Sequence, residues 1–434
     1  MKFLNKYFKI KENGSTMKTE IIAGITTFMT MAYILAVNPD ILGATGMDKG
    51  AVFTATALSA VIATLVMALV AKLPFALAPG MGLNAFFAFT VVLGMGYTWE
   101  FALTAVFLEG IIFILLTMFN IRELIVNSIP LNLKHAVSVG IGLFIAFIGL
   151  KNTGLIVDNQ ATLVSLGNMK NPAVFVGMAG VIIIGVLLAK KVRGAILIGI
   201  LASTIIGLFV GVTVIPEGFT FVSLPPSIEP IFFKFDFSQI LTIDMLIVLF
   251  TFLFVDMFDT VGTLVGVASK ADMLDKEGRV PRVKQALFAD SIGTFFGAIL
   301  GTSTVTTYVE SAAGVAEGGK TGMTALTVAG MFLLSLFFAP LFMIVPAAAT
   351  APALIIVGLF MISPIKKIDL EDFTEAIPAF FTIVMMPLTY SIAEGIVFGM
   401  LSYVFLKVLT GRYKEIKPIM YLIAVLFLVK FYIT

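Results

Sequence analysis

The chain has 434 residues, of which 59% are hydrophobic and 12% are charged, and its formal net charge is +2. A soluble domain of this length does not need so much apolar surface, and the net charge gives no indication of nucleic-acid binding. The composition predicts an all-α polytopic membrane protein, because each spanning helix takes about 20 apolar residues.

Cysteine is absent and His135 is the single histidine in the sequence. This excludes a disulfide framework, thiolate chemistry and a histidine-rich metal site. The sequence also contains no P-loop, no dinucleotide-binding fingerprint and no HExxH motif. We therefore predict that the protein is not an enzyme and uses neither a metal nor a cofactor.

The first 19 residues are rich in lysine, and the apolar segment that follows lacks a small-residue cleavage site, so the first span is expected to be retained. Helix 1 is predicted over residues 20–37 and is expected to end at Asn38-Pro39-Asp40. An amphipathic stretch is predicted over 122–134. The other continuous helices predicted in this part of the chain are helix 2 (51–71), helix 4 (98–119), helix 5 (135–150), helix 6 (172–189) and helix 7 (194–214).

Span 3 is predicted to be broken. Two prolines and two glycines between residues 74 and 82 interrupt an apolar run that is otherwise long enough to cross a bilayer. We interpret residues 74–79 as extended backbone and residues 81–93 as a half-helix.

A link with four prolines, residues 215–243, divides the chain into a first half (1–214) and a second half (244–411). A charged loop is predicted over 270–284. A C-terminal segment, 412–434, follows; its apolar part is short, and both an interfacial segment and an extra helix stay open for it. The helices predicted in the second half are helix 8 (244–268), helix 9 (ending near 300), helix 11 (323–345), helix 12 (351–363), helix 13 (376–390) and helix 14 (392–409).

Span 10 contains the sequence GTSTVTTYVESAAG, residues 301–314, which lies between two apolar segments but is itself polar. Near Glu310 the residues change from β-favouring to helix-tolerant, which predicts a short extended piece leading into a half-helix. Non-helical backbone at membrane depth is tolerated only where it is buried in protein or lines a polar cavity. An ionisable residue at such a place is a functional-site hypothesis by default.

The lysines and arginines of the predicted links assign the topology. With the N-terminus in the cytoplasm, most of these basic residues fall on the cytoplasmic side if the chain has fourteen spans. Seven spans in each half make the second half inverted relative to the first, and the broken spans 3 and 10 then occupy matching positions. Helices 5 and 12 also have similar sequences, SVGIGLFIAFIGL and LIIVGLFMIS. Paired interrupted spans in two halves indicate a transporter binding site.

The candidate functional residues are acids placed inside spans. Asp256 and Asp259 lie three residues apart on helix 8, so they share a helix face. A structural hydrogen bond is the alternative, but intramembrane acids more often mark pathways or proton relays, and Glu310 is interpreted in the same way. We interpret Glu109 and Asp290, in spans 4 and 9, as inter-helix polar contacts or partners of half-helix ends.

Asn84 lies on the first turn of the span-3 half-helix. Its side-chain amide could stabilise that turn or bind a ligand, and the sequence favours neither role over the other. The aromatic rings of Phe86, Phe87 and Tyr308 could stack on a flat ligand, although packing is the more usual role of aromatic residues in a span.

Several motifs together resemble the nucleobase–cation symporter-2 family, specifically its AzgA-like purine permeases, and the resemblance covers essentially the full length. The motifs are TTFMTMAYILAVNP in helix 1, APGMGLNAFFAFTVVLGMG in span 3, FLFVDMFDTVGTLVGVA in helix 8, GTSTVTTYVESAAGVA in span 10, and TAPALIIVG and MMPLTYSIAEGI near the end.

The resemblance implies fourteen spans in a 7+7 inverted repeat, with a core domain that moves against a gate domain. It also implies proton-coupled import of purine bases such as adenine, guanine or hypoxanthine across the cell membrane. Asp259 and Glu310 match the two acids that hold the base in the family, and Asn84 matches the AzgA-like asparagine. Phe86 and Val309 complete the predicted substrate site.

Some uracil carriers of the family have a histidine four residues after the helix-8 acid, where this chain has Thr263. The resemblance therefore assigns the proton to carboxylates, with Asp256, Asp259 and Glu310 as the candidates. The expected partners are a purine base, protons and the lipid bilayer, without nucleic acid, and a homodimer is left open.

Two other functions compete with this prediction. An anion transporter or channel of the same inverted-repeat architecture is the first, although two acids at the site argue against an anion because like charges repel. An intramembrane enzyme is the second, and the absence of a motif that would support it makes it the weaker.

Overall fold

A computed structural model describes residues 2–119, 130–270, 273 and 280–433. Within this part of the chain, eight helices are long and apolar enough to cross a membrane, and three shorter apolar helices accompany them. The protein is therefore a mostly helical membrane protein, as its composition predicts.

The helices of the first half agree with the prediction most closely at helix 6, which is observed as Pro172–Ala189. Pro172 occupies the first helical position, and the side chain of Asn171 accepts from the N–H of Ala173, so that this helix start is specified locally. The helices of this half are α1 (Lys2–Tyr7), α2 (Met17–Met31), α3 (Ile34–Gly43), α4 (Lys49–Val66), α5 (Met81–Ala85), α6 (Trp99–Met118), α7 (Leu131–Asn152), α8 (Pro172–Ala189) and α9 (Ala195–Phe209). Two of them continue as π-helix, α4 through Met67–Ala71 and α5 through Phe86–Val92.

The proline-rich link forms turns and irregular backbone between α9 and the next helix. Most of the predicted stretches 122–134 and 270–284 lies outside the described residues. The C-terminal apolar segment, left open above, is a helix in the structure. The helices of the second half are α10 (Ile243–Lys270), α11 (Val283–Leu300), α12 (Ser311–Ala316), α13 (Gly322–Ser335), α14 (Ala339–Met343), α15 (Ala347–Met361), α16 (Phe373–Leu388), α17 (Ile392–Leu409) and α18 (Pro418–Ile433).

Helix 1 does not end where the sequence predicts. The chain is interrupted earlier, at Ala32 and Tyr33, and α3 then continues through Pro39 to Gly43. Proline cannot donate to the carbonyl four residues before it, and its ring crowds that carbonyl. Here Pro39 nevertheless lies inside α3, so the predicted break at residues 38–40 is wrong.

The described residues also include four short strands, which an all-α prediction does not include. Strands β1 (Leu77–Pro79) and β4 (Val305–Thr307) pair antiparallel, with Leu77 opposite Thr307 and Pro79 opposite Val305. Strands β2 (Ile156–Asn159) and β3 (Leu163–Leu166) form a hairpin in the polar loop after α7. The β1–β4 pair is fully buried, and pairing satisfies backbone groups that would otherwise lack partners away from water.

The chain forms two compact units. The first consists of Met1–Met118 and Gly149–Ala353, and the second of Phe119–Ile148 and Leu354–Thr434. In the first unit, an apolar cluster surrounds the paired strands, and Leu77 and Val305 both belong to it. The division into sequence halves at 215–243 stays a prediction.

The second unit contains a close helix crossing between α7 and α15. A Cβ atom added to Gly142 would lie 2.6 Å from the carbonyl oxygen of Gly358, and one added to Gly358 would lie 2.4 Å from that of Gly142. The two similar sequence segments of helices 5 and 12 therefore contact each other through corresponding glycines, and no side chain fits between them.

A cluster of charges joins α16 to the end of α17 in the same unit. Lys407 is fully buried, and its Nζ lies 2.8 Å from Glu375 and 2.7 Å from Glu415. Arg412 bonds Glu415 through its Nε at 2.7 Å and Asp372 through its Nη1 at 2.5 Å. The buried lysine is thus fully compensated by acids, as burial of a charge requires.

Asp372 precedes the first residue of α16 and lies outside the apolar helix. Hydrogen bonds from Thr374, and then from Arg412, lower the pKa of its carboxyl to about 2. Both donors favour the charged form of the carboxyl, so Asp372 stays ionised at any ordinary pH.

Candidate functional site

The candidate site is built around the β1–β4 pair, and one threonine holds each strand in place. The hydroxyl of Thr64 on α4 donates to the carbonyl of Leu77 at 3.1 Å and accepts from its N–H at 3.0 Å. The hydroxyl of Thr294 on α11 does the same for Val305, at 3.1 Å and 3.3 Å. A single side chain therefore satisfies both outward backbone groups of one residue in each strand.

The hydrogen bonds beyond the strands follow the same two-fold pattern. The N–H of Gly80 donates to the carbonyl of Thr304 at 2.9 Å, and the N–H of Tyr308 donates to the carbonyl of Ala76 at 2.9 Å. A short helix follows each strand within a few residues, α5 after β1 and α12 after β4. The first N–H groups of both short helices therefore lie next to the strand pair.

Glu310 lies immediately before α12 and is partly exposed. The hydroxyl of Tyr33, at the interruption between α2 and α3, donates to Oε1 of Glu310 at 2.7 Å. The hydroxyl of Thr30 lies 3.5 Å from the backbone carbonyl of Glu310. The interrupted first span thus contacts the start of α12 directly.

Asp259 on α10 reaches the same strand pair from another side. The hydroxyl of Thr306 in β4 donates to its Oδ2 at 3.4 Å. Thr306 lies only four residues before Glu310 in the same segment. The structure therefore brings the two predicted substrate-binding acids together beside the strands, each with a hydroxyl donor.

Asp256 points to a different neighbour. The hydroxyl of Thr260 lies 3.0 Å from Oδ1 of Asp256 and 2.8 Å from Oδ1 of Asp290 on α11, and all three residues are fully buried. Asp256 and Asp259 are only three residues apart, but they have different neighbours. Asp256 is linked to α11 through the hydroxyl of Thr260, whereas Asp259 contacts β4. Asp290, interpreted above as an inter-helix polar contact, makes such a contact through Thr260.

Asn84 is fully buried on α5, and its Oδ1 accepts from the hydroxyl of Ser303. Its Nδ2 has no hydrogen-bond partner among the described residues, which leaves a buried donor to be satisfied. Phe86 is buried and packs edge-on against Phe252, with ring centroids 4.9 Å apart. Val309, in contrast, is 45% exposed.

Two other residues considered in the sequence analysis, Glu109 and Tyr308, form hydrogen bonds with the segments around the strand pair. The hydroxyl of Thr304 donates to Oε2 of Glu109 at 2.5 Å, so Glu109 joins α6 to the segment before β4. The hydroxyl of Tyr308 donates to the carbonyl of Pro79 at 2.6 Å. Tyr308 is therefore a strand-to-strand contact rather than an open stacking surface. Among the described residues, no group of three or more carboxylate or histidine side chains could hold a metal ion.

Sequence reasoning missed Tyr33 and Thr306, which donate to the two acids. A tyrosine inside the first apolar span was a usable signal, because a buried phenol needs a hydrogen-bond partner. Thr306 was visible only as one of several hydroxyls in a polar stretch, and its partner could not be told from the others.

The chain matches known proteins over nearly its whole length. The model of the xanthine/uracil permeases, described as "Permease family", matches residues 18–398. The chain belongs to the nucleobase–cation symporter-2 family. The resemblance to this family is confirmed, and the protein is a multi-pass membrane permease rather than an enzyme.

Two relatives illustrate how closely the permease matches. It is 46% identical over 427 residues to "Adenine permease AdeQ" of Escherichia coli K12, covering 98% of this chain and 96% of the relative. It is also 46% identical over 439 residues to "Guanine/hypoxanthine permease PbuG" of Bacillus subtilis 168, covering 99% of both chains.

A solved structure shares the fold at low sequence identity. The transmembrane domain of the cyanobacterial bicarbonate transporter BicA matches with a TM-score of 0.64 and 18% identity, over 88% of this chain and 97% of that one. At this identity the likeness concerns the architecture alone.

Proposed function

We propose that this permease takes up purine nucleobases across the cell membrane, coupled to protons, with its N-terminus in the cytoplasm. The observation that carries the proposal is the placement of Glu310 and Asp259 beside two short helices at a buried strand pair. The names of the two relatives, an adenine permease and a guanine/hypoxanthine permease, point to purines as the substrate class.

We also propose the full architecture of fourteen spans in a 7+7 inverted repeat, with spans 3 and 10 broken and a core that moves against a gate. Two features support it. The hydrogen bonds of the β1–β4 ladder and of its two threonines match from one strand to the other, and Gly142 and Gly358 approach each other reciprocally. Inverted repeats produce such matched contacts from segments far apart in the sequence.

The chemistry of the side chains suits a neutral purine. Carboxylates accept hydrogen bonds from ring or amino N–H groups, and the Nδ2 of Asn84 can donate to a ring nitrogen or carbonyl. The first N–H groups of α5 are further donors, whereas those of α12 already donate to the carbonyls of Tyr308, Val309 and Glu310. Phe86 and Val309 would supply apolar contact on either side of these groups. An anion would meet two acids here, which disfavours the competing function.

Proton coupling follows from the cost of ionised carboxylates inside a membrane. When the carrier changes conformation, an ionised acid inside the membrane costs free energy. This cost is smaller if a proton neutralises the acid. Asp256, Asp259 and Glu310 are the candidates for the proton.

Uptake of labelled hypoxanthine into cells that lack their own purine permeases tests the proposal. We expect Glu310→Ala and Asp259→Ala to reduce uptake to the level of cells without the permease, while the protein still reaches the membrane. Glu12→Ala is the matched control, since Glu12 is exposed and forms a surface pair with Lys9. Normal uptake by either site variant would refute the assignment.

The substrate class and the coupling are tested in the same cells. Adenine, guanine, xanthine and uracil are added as competitors at two pH values, and a protonophore collapses the proton gradient. We expect purines to compete and the protonophore to stop accumulation. Competition by sulfate or bicarbonate, without competition by any purine, would establish the anion transporter instead.

A further inference from the structure

Tyr33 is a buried polar residue at the interruption of the first span. It lies between α2 and α3, is 1% exposed, and is one of the largest fully buried side chains of the described residues. A phenol hydroxyl at such a place needs a hydrogen-bond partner. That partner is a carboxylate oxygen of Glu310, 277 positions away in the sequence, at 2.7 Å.

The elements that carry the two groups are held in close contact. A Cβ atom added to Gly314 on α12 would lie 2.5 Å from the backbone carbonyl of Ala23 on α2. The two backbones are therefore packed directly against each other in the first unit. The Thr30 hydroxyl, 3.5 Å from the backbone carbonyl of Glu310, shows that the two backbones also lie close together beside Tyr33. The hydrogen bond therefore joins two elements that are packed against each other.

The hydrogen bond uses one of the two carboxylate oxygens. Tyr33 donates to Oε1, and a carboxylate accepts through both of its oxygens. Holding Oε1 restricts the glutamate to one rotamer and gives Oε2 a fixed direction. A glutamate without this restraint would sample several rotamers and lose that freedom only when a ligand binds.

We propose that Tyr33 is a positioning residue for the base: its hydroxyl holds Oε1 of Glu310 so that Oε2 is presented to an N–H group of the purine. The proposal rests on the proposed function, because it requires that Glu310 accepts from the substrate. Tyr33 acts through Glu310 and need not touch the base. Its contribution is preorganisation, which lowers the entropic cost of binding.

Tyr33→Phe tests the proposal with little change in shape. The rotamer freedom of one glutamate side chain corresponds to roughly tenfold in affinity. We therefore expect the KM for hypoxanthine, and the Kd measured on the purified monodisperse protein, to rise roughly tenfold. The maximal rate should stay within about twofold, since the variant removes no group that contacts the base. Tyr403→Phe is the matched control, because it removes the same atom from a buried tyrosine on α17.

A second readout separates positioning from a general loss of structure. N-methylated hypoxanthines block one N–H group at a time. Methylation of the N–H group that donates to Glu310 should lower the affinity, and this loss of affinity is the penalty measured here. In Tyr33→Phe this penalty should shrink while the penalties at the other positions keep their size. Reverting the variant to Tyr33 should restore both the affinity for hypoxanthine and the loss of affinity on methylation.

The outcomes distinguish this proposal from the proposed function. If the unmodified protein takes up hypoxanthine and Glu310→Ala does not, an unchanged KM in Tyr33→Phe overturns the role of Tyr33 alone. Equal loss of affinity for all methylated bases also overturns it, since that result indicates a structural effect. If the unmodified protein takes up no purine, both proposals fall together.

Discussion

Glu20 anchors the segment after α12 and offers the sharpest stability prediction. Its carboxylate is fully buried on α2 and accepts from the N–H of Lys320 at 3.1 Å, from the N–H of Thr321 at 3.2 Å and from the hydroxyl of Thr324 at 2.6 Å. These donors lie at the start of α13, where free N–H groups favour a negative charge. We expect Glu20→Gln to destabilise the fold.

The expected loss of unfolding free energy follows from the bonds that the two carboxylate oxygens of Glu20 accept. Oε1 accepts from Lys320, whereas Oε2 accepts from Thr321 and Thr324. An amide can place its single oxygen at the Oε2 position, but its NH2 group then faces the N–H of Lys320. One bond to a charged acceptor is lost and the others weaken, which costs about 2–3 kcal/mol. Glu20→Ala loses all of them and should cost about 4–5 kcal/mol.

Equilibrium unfolding in mixed micelles, followed by circular dichroism, measures this difference. Glu12→Gln is the matched control, because Glu12 carries the same chemical change at an exposed pair with Lys9, 3.3 Å away. Exposed pairs contribute little, so the control should stay within about 1 kcal/mol of the unmodified protein. If Glu20→Gln and Glu12→Gln unfold alike, the carboxylate does not anchor α13 and the reasoning is wrong.

Three further predictions concern other contacts. Thr294→Val should lower the free energy of unfolding by about 1–3 kcal/mol, because the N–H and carbonyl of Val305 lose their shared partner, and Thr294→Ser should restore it. Gly314→Leu should stop uptake, since its Cβ would lie 2.5 Å from a backbone carbonyl of α2, whereas Gly330→Leu, with open space around it, should not. Asp372, with a pKa of about 2, should stabilise the fold equally from pH 8 to about 5 and lose this effect as pH falls from about 4 to 2. In a pH titration of unfolding, Asp372→Asn should lose less stability over this range than the unmodified protein, which keeps Asp372 as well as Glu415, whose pKa is also about 2; equal losses would contradict the prediction.

Hydropathy and local residue chemistry predicted most of the helices. Helix 6 was predicted at 172–189 and is observed as Pro172–Ala189, because its start depends on an asparagine cap and a proline next to each other in the sequence. The first span was less predictable. Pro39 predicts a break, but the helix continues through it and is interrupted instead at Ala32 and Tyr33. The hydroxyl of Tyr33 bonds Glu310, a partner that lies in a distant part of the sequence.

By itself, the sequence determined that this protein is a helical membrane protein with acids inside apolar spans and with two interrupted apolar stretches. It could do so because apolar length, proline and glycine act locally. Only the tertiary structure decided which partners those groups have: Asp259 contacts Thr306, Asp256 contacts Asp290 through Thr260, and Glu310 contacts Tyr33. A buried acid signals that it needs a partner, but several hydroxyls in the chain can supply one. The packing of segments that lie from 30 to 277 residues apart selects among them.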